Sequence, residues 1–240
     1  MELTANNELD LWEFECWQTS PDISVIRAFQ PLIIILTTAG IDAKTEGTAL
    51  VTDTTRMMQW CIWHADLKST FAVLDPELTV SLPANLMART GLDAMVHAIE
   101  AYCVLGFNPL CDGMAVEGLR LVGHLLPVAV AKPLSFEASG AMLAESCFPG
   151  IAVLKGLGLV HANSHMNGAE YDTQHGLTNA IVLPAVLRHN ALAITNKVSV
   201  MAQAISIRVP ALSQLTSIFA LWLINRASLK HWLSLWVHLY

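Results

Sequence analysis

Apolar residues along the chain follow two different rhythms. From Pro83 onward they recur at helical spacing, as in Leu92, Met95, Val96 and Ile99, and this period of three to four residues predicts helices over roughly 84–104, 109–124, 136–160 and 176–189. Pro149 lies inside the third of these and should kink or split it, because proline has no N–H for the helical ladder. Before Pro83 the apolar runs are short. Leu32 to Leu36 reads as a buried strand ending at a Thr-Thr-Ala-Gly turn, with further strands at Thr48 to Thr52 and Phe71 to Leu74. Pro76 closes the last of them, and Asp75-Pro76-Glu77 reads as its exit into a loop. Residues 1–30 are expected to hold a helix then a loop, broken at Pro21. The pattern therefore predicts a mainly α fold: an all-helical domain preceded by a small α/β portion.

Chemistry concentrates in two of the helical segments. Asp93 and His97 are four apart in ARTGLDAMVHAIEAY, one turn apart on one helix face. His161 and His165 repeat that spacing in GLGLVHANSHMNGAEYDTQHGLTNAIVLP, and His175 follows where a loop enters the next helix. Gly168 and Gly176 punctuate this run. One Asp–His pair is usually a surface contact, and one histidine in an apolar chain is usually packed in a core. Several such groups in apolar segments are costly to bury unpartnered, and a divalent cation would remove that cost. His64, His124, His189, His231 and His238 lack matched spacing and read as non-ligands. Met57, Met58, Met87, Met95 and Met142 read as core filler, and Gly156 and Gly158 as a turn or close packing before His161.

Composition narrows the field. The 240 residues carry 13 basic and 20 acidic side chains, a net charge of -7, with no basic cluster, which argues against nucleic-acid binding. Apolar residues make up 54% of the chain. No run reaches the roughly 18 uninterrupted apolar residues of a membrane span; Leu212 to Tyr240 is broken by Asn225, Arg226, Lys230 and His231. The five cysteines show no CxxC pair, and no signal peptide is apparent, so reduced thiols and a cytoplasmic location are expected.

The two histidine-bearing segments resemble the signature segments of the iron-containing (group III) alcohol dehydrogenases. PLIIILTTAG resembles that family's cofactor-loop strand and turn. FAVLDPELTVSLPANLMARTGLDAM, CDGMAVEGLRLV and LPAVLRHN follow in the family's order, so the resemblance spans roughly residues 31 to 190. It implies metal ligation by Asp93, His97, His161 and His175. His165 falls where the family has a histidine beside substrate and nicotinamide, and Thr37, Thr38, Ala39 and Gly40 fall where the family's loop approaches the cofactor. The implied activity is metal-dependent hydride transfer between a small alcohol or aldehyde and NAD or NADP, with Fe(II) or Zn(II) as the metal. A homodimer is possible on the same grounds. The alternatives are an inactive metal-binding fragment of such an enzyme, or another reaction of the superfamily, such as maleylacetate reduction or a dehydroquinate-synthase-like cyclisation.

Departures from the family pattern set further expectations. Ile41-Asp42-Ala43-Lys44-Thr45-Glu46 replaces a glycine-bearing turn after TTAG, and Arg56-Met57-Met58-Gln59-Trp60 stands where a lysine is common. Residues 1–30 contain no glycine and so no phosphate-cradling turn. The expected division is residues 1–80 as a truncated remnant of a nucleotide-binding domain, 81–205 as the helical metal-binding domain, and 206–240 as an atypical apolar tail. That tail shows no resemblance to the family and is attributed to a frameshift or aberrant splice.

Overall fold

The structure is a computed structural model, and it describes residues 10–16, 31–38, 45–132 and 134–206. Ala39, Gly40 and Asp42, the expectations for 17–30, and the tail from 207 onward lie outside the described residues. The fold is mainly α with a small α/β portion, as the periodicities predict.

Four strands precede the helices. β1 (Ile33–Ile35) pairs in parallel with β4 (Phe71–Val73), in the register Ile33 to Phe71 and Ile35 to Val73. β2 (Thr48–Asp53) and β3 (Met58–Trp63) form an antiparallel hairpin. β3 is an addition to the expected strands, formed where the chain turns back on β2 at Met57. Two further expectations are corrected here. β1 is not buried: Ile33 and Ile35 are 60% and 59% exposed, whereas Ile34 and Leu36 pack on the helical core. Strand side chains alternate between faces, and no described residue covers the outer one. Met57 and Met58 are exposed rather than core, because Met57 turns the hairpin at a positive φ of 51° and Met58 starts β3 beside it.

The helical part is built around α1 (Ala84–Cys103), in which every residue from Gly91 to Ala101 is buried. A helix enclosed on all sides is apolar all round, and here only Asp93, His97 and Glu100 interrupt that surface. α2 (Pro109–Ala131) packs along α1. It starts with Pro109 behind an Asn108 cap and continues past the expected end at 124, through Pro127. It is the one described helix long and apolar enough to cross a bilayer, yet it packs against α1 and its neighbours as a core helix does.

The expected 136–160 helix is split into α3 (Phe136–Glu145) and α4 (Cys147–Ala152). The break falls at Ser146, since Pro149 offers no N–H to the carbonyl of Glu145. α5 (Leu159–Tyr171), α6 (His175–His189) and α7 (Thr195–Ala204) complete the array. Met87, Met95, Ile99, Leu119, Leu126, Met142, Leu143, Leu183 and Met201 are almost wholly enclosed, each worth about 1.5–3 kcal/mol of burial. This core holds α1, α5 and α6 rigidly enough to aim side chains.

Candidate metal centre

Three helices point polar side chains at one place. α1 supplies Asp93 and His97, α5 supplies His161 and His165, and α6 supplies His175 at its first residue. Among the described residues, the one group of three that offers ligand atoms within 4.8 Å of one another is Asp93, His97 and His161. His175 adjoins it, with Nε2 3.6 Å from Asp93 Oδ1. His165 stacks on His175 with ring centroids 5.2 Å apart and stands edge-on to His161 at 6.1 Å. The cluster has a deep wall and a mouth: the Asp93 and His161 side chains are 5% and 2% exposed, that of His175 29%. Thr37 and Thr38 form a bend at the carboxyl end of β1, partly open to solvent.

Sequence reading missed two residues that shape the cluster. Glu100 lies two turns from Asp93 on the same face of α1. Its carboxylate accepts from the backbone N–H groups of Gly158 (3.2 Å), Val160 (2.7 Å) and His161 (3.1 Å), and lies 2.7 Å from His161 Nδ1. Asn179, one turn after His175 on α6, is fully buried. Its Oδ1 accepts from Ser164 Oγ, and its Nδ2 lies 2.6 Å from Asp93 Oδ1, 3.2 Å from His161 Nε2 and 3.1 Å from His175 Nε2. The spacings i, i+4, i+7 on α1 and i, i+4 on α6 were the available signals.

Two glycines permit this convergence. A Cβ on Gly176 would sit 2.4 Å from the Arg89 carbonyl oxygen and 3.1 Å from Asp93 Cβ, so only glycine lets α6 bring His175 against α1. A Cβ on Gly158 would sit 2.7 Å from Glu100 Oε1, so the start of α5 can approach that carboxylate.

Electrostatics follow from burial. Burial first, then the neighbouring imidazoles of His97, His175 and His165, hold His161 well below the usual histidine range. Burial and His175 bring His165 down to about 4. His175 is lowered by burial, against an opposing pull from Asp93. Burial raises Glu100, and the N–H groups of Val160, His161 and Gly158 oppose that rise. Burial thus favours the neutral form of His161, His165 and His175, the form that ligates metals.

The donor set fits a divalent cation. His97 Nδ1 lies 2.8 Å from the Asp93 carbonyl oxygen, and its ring centroid is 4.1 Å from that of His161. Asp93 Oδ1, His161 Nε2 and His175 Nε2 lie 2.6, 3.2 and 3.1 Å from the Asn179 amide nitrogen, so one carboxylate oxygen and two ring nitrogens are gathered around one point. These are donor types that Fe(II) and Zn(II) take.

Known proteins share this arrangement of helices. Residues 87–222 match the family described as Fe-containing alcohol dehydrogenase family, C-terminal. The match reaches into the stretch after 205 where the sequence reading found no resemblance. The chain is 38% identical over 191 residues to the NAD-dependent methanol dehydrogenase of Bacillus methanolicus, covering 79% of this chain and 50% of that protein. It is 32% identical over 214 residues to the 1,3-propanediol dehydrogenase of Klebsiella pneumoniae, covering 89% and 54%. A crystal structure of 1,3-propanediol oxidoreductase superimposes with a TM-score of 0.82 at 31% identity, over 95% of this chain and 59% of that one. The chain spans about half the length of the curated relatives it matches.

Proposed function

Because the chain belongs to the iron-containing alcohol dehydrogenase family, we propose that it is a metal-dependent oxidoreductase passing a hydride between a small alcohol or aldehyde and NAD or NADP. Asp93, His97, His161 and His175 are the proposed ligands. The observation that carries this reading is the convergence of Asp93, His97 and His161 within 4.8 Å, with His175 Nε2 3.6 Å from Asp93 Oδ1. Three imidazoles and one carboxylate suit Fe(II) or Zn(II) and leave a coordination position for a substrate oxygen.

A cation held by these four residues would supply polarisation of the substrate's oxygen, and a bound nicotinamide would supply the hydride chemistry. The protein's own contributions are position and proton transfer. Asp93, His97 and His161 form the enclosed wall, and substrate enters past His165 and His175, the more open side. His165 is the proposed proton relay on the ground of position: its ring stacks on His175 and stands edge-on to His161 at the more open side of the cluster. The Thr37–Thr38 bend follows the carboxyl end of a parallel strand, where α/β folds receive nucleotides, which supports a cofactor role for residues 37–40. The proposal includes a cytoplasmic enzyme and keeps the division at residues 1–80, 81–205 and 206–240.

A second reading is a chain that binds metal without hydride chemistry. It is favoured by the β1–β4 pair, whose outer face leaves Ile33 and Phe71 60% and 66% exposed. Titrating the purified chain with NADH, read by cofactor fluorescence, separates the two. The enzyme reading expects saturable binding; no binding at millimolar NADH would leave only the metal-binding reading.

A further inference from the structure

We infer that Glu100 is a positioning residue for the proposed metal centre: it holds His161 in the Nδ1–H tautomer, with Nε2 turned into the ligand cluster. The inference rests on the reading of the centre given above. Glu100 Oε2 receives the backbone N–H of His161 at 3.1 Å and that of Gly158 at 3.2 Å, and the His161 ring nitrogen Nδ1 lies 2.7 Å from the same oxygen. Backbone N–H groups only donate, and a carboxyl oxygen that already receives two of them is left to accept. Nδ1 sharing that oxygen is therefore a donor. A neutral imidazole carries one N–H, so the lone pair is left on Nε2, which faces Asp93 Oδ1 at 4.0 Å.

A simple helix-capping role accounts for part of this geometry. Gly158, the residue that opens α5, has no side chain to cap the helix, and Glu100 reaches across from α1 to receive the Val160 and Gly158 N–H groups instead. Capping does not require the contact to the ring, however. That contact aligns an imidazole 61 positions away with the Asp93–His97 face of the helix that carries Glu100. A single carboxylate thus registers one ligand-bearing helix against the other. Carboxylate-to-imidazole bonds of this kind orient ligating histidines in metal sites generally.

The test uses the full 240-residue chain, Co(II) as the metal and Glu100→Gln as the variant. Co(II) uptake is read from its visible d–d absorption, and the ring nitrogens of His161 from long-range proton–nitrogen NMR of the metal-free protein, assigned with His161→Ala. The wild type should bind Co(II) and show the His161 proton on Nδ1. Glu100→Gln should bind Co(II) about 10–100-fold more weakly, and its His161 ring should populate the Nε2–H form, a change that loss of a helix cap alone does not produce. Unchanged Co(II) affinity in a folded Glu100→Gln protein overturns the role of Glu100 and leaves the metal centre standing. Should that variant not fold, the wild-type spectrum decides alone: a proton on Nε2 overturns the inference. A wild-type chain that takes up no Co(II) overturns the metal centre and this inference together.

Discussion

The helical array around α1 and the strand pair β1–β4 are both rich in apolar residues, and they dispose of them in opposite ways. In α1 eleven consecutive residues, from Gly91 to Ala101, are buried. In β1 every second isoleucine is exposed, and Phe71 and Val73 opposite them are 66% and 40% exposed. Enclosure decides what polar groups can do. Around α1 buried carboxylate and imidazole groups have partners: Glu100, Asn179 and Ser164 form one network with Asp93, His161 and His175. On the open strands solvent satisfies what the protein does not. Chemistry that depends on lowered pKa values and fixed tautomers therefore belongs to the helices.

The sharpest way to break this contrast is at the ligands. His161→Ala and His175→Ala are each expected to lose most bound metal, a fall in affinity of about 100-fold or more, measured by elemental analysis after dialysis; full retention by either removes that residue from the ligand set. Next is Gly176→Ala, which forces a Cβ to within 2.4 Å of the Arg89 carbonyl oxygen. Prying α6 from α1 is expected to cost about 2–3 kcal/mol in denaturant unfolding and to weaken metal binding. A variant of wild-type stability would show that α6 has room the close packing denies.

A smaller effect is expected at Glu145, a buried carboxylate without Glu100's donors: its Oε2 has no hydrogen-bond partner, and burial pushes it up to about 7. The folded chain then holds a proton that the unfolded chain, with an ordinary carboxylate near 4.5, releases. Stability from this group is therefore present below about pH 4.5 and is lost as pH rises through 7. After discounting for solvent screening beside Arg120, the loss is about 1 kcal/mol. Glu145→Gln should flatten that part of the stability–pH curve, and an unchanged slope would assign it to other groups. The smallest effect is expected from Ile33→Ser on the open face of β1, within about 0.5 kcal/mol of wild type. A loss of several kcal/mol there would mean that the strand pair is enclosed after all and that the contrast fails.

Much of the helical part was legible in the chain. The start of α1 and the run of α6 follow from apolar periodicity, and Pro149 correctly marked a broken helix, with the break displaced three residues to Ser146. The pairs Asp93–His97 and His161–His165 were legible because i, i+4 spacing puts two side chains on one face whatever the surroundings, whereas the ligand set that adds His175 came from the family resemblance. Exposure was less legible. A run of isoleucines reads as buried, but burial depends on what lies against the second face of a strand. Methionines read as core, and Met57 instead turns a hairpin at a φ of 51°. Glu100 and Asn179 were overlooked because a polar residue on an apolar helix acquires meaning only from the helix it meets.

The linear chain alone determined the helical periods, the paired spacings of Asp93 with His97 and His161 with His165, and the kinds of metal those side chains favour, since these are properties of neighbours on one helix. Only the tertiary structure decided that three helices bring those side chains to one point. It also decided that Gly158 and Gly176 make room for the approach, and which nitrogen of His161 is turned inward. Those outcomes depend on contacts between residues 58 to 87 positions apart, and local spacing carries no information about such distances.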